Sequence, residues 1–73
     1  MQTYLKNLAE LFKLAAMYRD NAMTSHAAKL LELSMQPKAA LEYWQQYGRY
    51  FRTVADTLLL QEIEEYLQEK ARD

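Results

Sequence analysis

Aromatic and basic side chains alternate along one stretch of this chain: Tyr43, Trp44, Tyr47, Tyr50 and Phe51, with Arg49 and Arg52 among them. Flat rings can stack nucleobases while guanidinium groups neutralise phosphates, which is the chemistry of many single-strand binders. Helical spacing weakens that reading. At about 100° per residue, Trp44, Tyr47 and Phe51 share a face and the two arginines point away from it. Trp, Tyr and Arg also dominate protein-binding hot spots, and a core stripe would show the same spacing. Trp44, Tyr47, Tyr50 and Phe51 are therefore either core or one protein-docking surface.

His26 is the single histidine and the side chain whose ordinary titration lies near neutral pH. A catalytic role would need a nucleophile or an orienting carboxylate in a recognisable set, and no neighbour in sequence supplies one. It reads as a boundary or capping residue. Glu62, Glu65 and Glu69 fall three and four positions apart, so each pair can share a helix face, as acid–base or di-metal carboxylates would. The helical di-iron pattern also wants Glu-x-x-His on two helices, and Met23, not a glutamate, stands three residues before His26. With no Cys, an ordinary structural zinc site lacks ligands. Glycine-rich phosphate loops and catalytic triads are absent from the sequence. No catalytic residue, metal ligand, cofactor or small-molecule substrate is expected, and the chain does not read as an enzyme.

The elements that must position these side chains are helices. The chain has 73 residues, 51% of them hydrophobic and 26% charged, with one Gly and one Pro. Strand-and-turn folds need more punctuation than that, and the length allows one core only. The expected fold is all-α, a small bundle of three to four helices in a single domain over residues 1–73. A formal charge of -1 argues against general affinity for nucleic acid or anionic membrane. The first thirteen residues lack a continuous apolar run, so they read as neither signal peptide nor membrane span, and the cytoplasm is the default compartment.

Tyr4, Leu8, Leu11, Ala15 and Tyr18 repeat at helical spacing and predict a first helix over about 3–20, with Asn21 as its left-handed terminus. Thr24 or Ser25 caps a second helix, about 24–34, with Ala27, Leu30 and Leu31 inward. Pro37 marks a boundary and suits the first turn of a third helix.

Beyond Pro37 nothing but Gly48 interrupts the pattern, and a single helix of that length would reach about 52 Å. Its apolar stripe does not run straight. Trp44, Tyr47, Phe51, Val54 and Leu58 form one seam, and Leu59, Leu60, Ile63, Tyr66 and Leu67 form another, turned around the axis. The expected ranges are 37–57 and 58–71, either separated by a break near Asp56–Leu60, with Asp56 or Thr57 as N-cap, or joined as one long kinked helix. Gly48 lies inside the continuing pattern and does not mark the change of direction.

The segment Trp44-x2-Tyr47-Gly48-x2-Phe51 is similar to the opening helix of a tetratricopeptide repeat, W-x2-L-G-x2-Y. The likeness covers eight residues. Such a repeat would place a small residue sixteen positions after the Trp, where this chain has Leu60, and would stack on neighbouring copies. Gly48 is left with two readings: it admits another helix closely, or it loosens its own.

Residues 57–73 hold five acidic and two basic side chains, so an acidic, amphipathic end is set against a slightly basic remainder. Together these features suggest a protein-interaction module, an adaptor, chaperone-like subunit, antitoxin or inhibitor. It would form a homodimer or dock on a larger protein partner through Trp44, Tyr47, Tyr50 and Phe51 on one surface and Leu59, Ile63, Tyr66 and Leu67 on another. In the alternative assignment the second stripe packs on the chain's own first helix. A second function class is a small helix-turn-helix DNA-binding regulator built around Asn21–Ser25, with His26 and Lys29 as its readers.

Overall fold

In the computed structural model, which describes residues 2–72, the chain folds into four α-helices joined by short connections. They are α1 (Gln2–Met17), α2 (Asn21–Glu32), α3 (Pro37–Tyr47) and α4 (Thr57–Arg72), with a 3-10 segment over Gly48–Thr53. No strand occurs among the described residues. The expected all-α bundle is thus the fold. α1 packs chiefly on α2 and α3 chiefly on α4, so the chain is two helical hairpins laid together. Its longest dimension is 35 Å, which excludes the 52 Å single helix.

The first helix is shorter than its apolar pattern suggests. Arg19, with φ 53°, takes the left-handed conformation expected of Asn21. The Asp20 N–H returns to the Ala15 carbonyl and the Arg19 N–H to the Ala16 carbonyl, the paired bonds of a Schellman terminus. Tyr18 consequently leaves the stripe and is exposed.

Asp20 then caps α2 from one residue outside it. Its carboxylate accepts the Met23 N–H at 3.0 Å, so α2 opens three residues before the expected Thr24. That earlier start carries Met23 into the core beside Ala27 and Leu30 at helical spacing. Leu31, expected inward, is 45% exposed. Pro37 begins α3 as expected, after a turn closed by Gln36 N–H to Leu33 O.

The long segment changes twice. At Gly48 the α-helix tightens into the 3-10 segment, which corrects the reading of Gly48 as a position inside an uninterrupted helix. At Val54–Asp56 the chain turns, and the Asp56 carboxylate accepts the Leu59 N–H at 2.8 Å. Asp56 is the N-cap of α4, as the break reading required. Leu58, aligned with the first seam on paper, lies beyond that break and is 66% exposed.

Gly48 has ordinary helical angles, so its role is spatial. A Cβ on it would stand 2.8 Å from Cδ2 of the Trp44 indole, which is itself buried. The neighbour that needs the space is a ring one turn back, not a second helix. Gly48→Ala should push the indole off its seat, and urea unfolding should show a net loss of roughly 1–2 kcal/mol after Ala's better helix propensity is counted. An unchanged midpoint would mean that the indole has room to move.

Candidate functional site

The core draws on every helix: Tyr4, Leu8, Leu11 and Ala15 from α1, Met23, Ala27 and Leu30 from α2, Ala40 and Trp44 from α3, Ile63 and Leu67 from α4. Phe51, from the 3-10 segment, joins them at 0% exposure. Of the eight side chains expected to meet a partner, Trp44, Phe51, Ile63 and Leu67 thus lie in the chain's own interior. Tyr47, Leu59 and Tyr66 are half-buried, and Tyr50 is exposed. The second stripe packs against both α3 and α1, as the self-packing assignment had it for α1.

The aromatic residues gather around His26, a junction that no local spacing reveals. The His26 ring stacks on Tyr47 at 4.9 Å and on Tyr50 at 5.5 Å, and meets the edge of Phe51 at 6.5 Å. Its Nδ1 shares a hydrogen bond of 2.7 Å with the Tyr43 hydroxyl. Burial, and Tyr47 beside it, raise the pKa of that hydroxyl, so Tyr43 keeps its proton at neutral pH and can donate to a bare Nδ1. Rings at these separations attract through offset and edge contacts. His26 is therefore half-buried packing between α2 and α3, rather than a helix cap.

Trp44 stacks on Phe51 at 5.9 Å, with planes 12° apart, and donates its indole N–H to the Glu64 carboxylate at 3.1 Å. That bond ties α3 to α4. The arginines are nearer the aromatic face than expected: Arg49 lies 5.4 Å over the Tyr50 ring. Arg49 and Arg52 also line, with Trp44 and Glu64, a cleft of about 570 Å³ between the end of α3 and α4. At three residues per turn Arg49 and Arg52 fall on the same side of the 3-10 segment, so both reach the same cleft.

A different surface keeps apolar groups open. Leu14 of α1, Val54 before α4, and Leu58 and Leu59 of α4 line a groove of about 460 Å³. Glu10, Asp56 and Glu62, all exposed, stand around it. The seam continues along α1 and α4 into a second hollow of about 250 Å³, lined by Tyr4, Asn7, Glu62, Glu65, Tyr66 and Glu69. Within it the Tyr4 and Tyr66 rings stack at 4.5 Å, and Asn7 donates to Glu62 at 3.2 Å. Tyr4 is 1% exposed, and its hydroxyl, among the described residues, is the buried side-chain polar atom with no hydrogen-bond partner. Burial first, and the neighbouring Tyr66 second, push its pKa up to about 12.

The sequence pointed to α4 as a docking element, but through its inward stripe. The groove depends on Leu14 and Leu58, and a signal for Leu58 was present: Asp56 as N-cap detaches it from the seam that ends at Val54.

Among the described residues no group of three or more His, Asp or Glu side chains is arranged to hold a metal ion, and no helix is long and apolar enough to cross a membrane. Lys29, one of the two expected readers of duplex DNA, pairs with Glu32 at 3.5 Å, and His26, the other, is held by the tyrosines. Comparison with family models, curated proteins and solved structures finds no match.

Proposed function

We propose that this chain is a non-enzymatic protein-interaction module, docking on a larger protein through the groove between α1 and α4, with the cytoplasm as its place of work. The observation that carries the reading is Leu58. A large apolar side chain 66% exposed beside Leu14, Val54 and Leu59 makes a local apolar groove rather than a scattered surface residue. Grooves between helices with apolar floors and polar edges are common seats for partner segments. The packing of His26 among the tyrosines favours this reading over a DNA-binding one, because a helix-turn-helix reader needs that side chain free for bases and phosphates.

A photo-reactive amino acid placed at position 58 should cross-link a partner protein in the cell of origin. The same group at position 35, where Met35 is 79% exposed but outside the groove, should not. Equal labelling at both positions, or none at 58, would overturn the proposal.

A further inference from the structure

The chemistry of the α1–α4 seam says what kind of segment it would hold. The two hollows share Glu62, and together they run from Asp56 to Glu69 along α4. At the rise of an α-helix this is about 20 Å, the length of a four-turn segment. Five carboxylates line it, Glu10, Asp56, Glu62, Glu65 and Glu69, and no Lys or Arg lines either hollow. Among the described residues the ion pair present is Lys29–Glu32, elsewhere on α2. Among the described residues, therefore, none of the five carboxylates has a cation within ion-pair distance, and Lys70, at the far end of the seam, lies 5.8 Å over the Tyr66 ring. One further observation, independent of the charge, marks the seam as incomplete: the open apolar floor around Leu58.

We propose that this seam seats a cationic amphipathic helix of a partner protein. Its apolar row packs on Leu14, Leu58 and Leu59, and its lysines and arginines pair with Glu10, Glu62, Glu65 and Glu69. The proposal rests on the reading of the chain as a protein-binding module and adds the partner's chemistry to it. A second copy of the chain fits poorly. α1 carries two lysines against one glutamate, α2 and α3 one charge of each sign, and α4 is itself acidic, so none offers a basic row to an acidic seam. Paired charges along an interface fix register and speed encounter, while the apolar row supplies most of the affinity.

The test uses two fluorescein-labelled helical peptides of about sixteen residues, one with leucines on one face and lysines elsewhere, the other with glutamates replacing the lysines. Fluorescence anisotropy with the full chain should show the lysine peptide binding at least about tenfold more tightly, with about a tenfold loss between 0.05 and 0.5 M salt. Leu58→Ser should weaken it by about tenfold more through lost apolar contact, and Glu62→Gln with Glu65→Gln and Glu69→Gln should remove the salt dependence. Equal binding of both peptides would overturn the proposal. So would lysine-peptide binding that ignores Leu58→Ser, which would be charge attraction alone, or a solution mass that doubles with concentration and reverts in Leu58→Ser, which would make the occupant a second copy. If the lysine peptide fails while position 58 still cross-links a partner, the cationic class falls and the module reading stands. If both fail, both fall.

Discussion

Phe51→Ala is expected to leave the chain largely unfolded in water, read as loss of the helical circular-dichroism signal and of a cooperative urea transition. Phe51 is completely buried, stacks on Trp44 and meets His26 edge-on, so its removal opens a cavity at the junction of both hairpins. Truncating such a residue typically costs roughly 3–5 kcal/mol, about all that a core of this size supplies. Leu58→Ser provides the contrast. Both side chains belong to one stripe in the sequence, yet Leu58 is mostly exposed, and its replacement should change stability by no more than about 0.5 kcal/mol. Equal losses for the two variants would mean that Leu58, like Phe51, belongs to the core.

Tyr4→Phe should stabilise the protein, and increasingly so in alkali. The variant keeps the ring stacked on Tyr66 and deletes a buried hydroxyl without a partner, a change worth about 1 kcal/mol at neutral pH. The alkaline effect follows from proton linkage. Below pH 10 the tyrosine is protonated in both folded and unfolded chains and contributes no slope. Between its ordinary value of 10.0 and the folded value of about 12, the unfolded chain releases the proton first, so stability falls as pH rises. The loss attributable to Tyr4 is roughly 2–3 kcal/mol once the folded value is passed. Tyr43, also raised, adds to the alkaline loss in both proteins, so the difference between them isolates Tyr4. Urea midpoints at pH 7 and pH 11 measure it, with about half of that loss expressed at pH 11, midway between the two values. A variant less stable than the parent at pH 7 would show that the hydroxyl has a partner.

Helical class, the Pro37 boundary and the break at Asp56 were legible because each depends on a local rule: composition, the missing N–H of proline, and a capping carboxylate next to a change of stripe. The start of α2 was not. Asp20, Thr24 and Ser25 are all competent caps, and the choice among them follows from Arg19 taking the left-handed position, which intrinsic preference assigns to Asn21. The site was legible in part. Helical spacing correctly marked Trp44, Phe51, Ile63 and Leu67 as residues needing cover, but it cannot say whether cover comes from within or from a partner. The His26 junction joins residues seventeen and more positions apart, beyond the reach of any periodicity. Gly48 was misread because the helix keeps its apolar rhythm while changing its pitch.

The division into two hairpins makes the α1–α4 seam a property of their association. One wall belongs to the first hairpin and the other to the second, so neither alone forms the groove. Any helix lying in the seam touches both and acts as a clasp, adding to the free energy that holds the halves together. By mass action, a ligand at a hundred times its dissociation constant would add about 2.7 kcal/mol, a large fraction of what so small a core provides. Occupancy would then show as higher melting temperature and slower amide exchange in both hairpins at once.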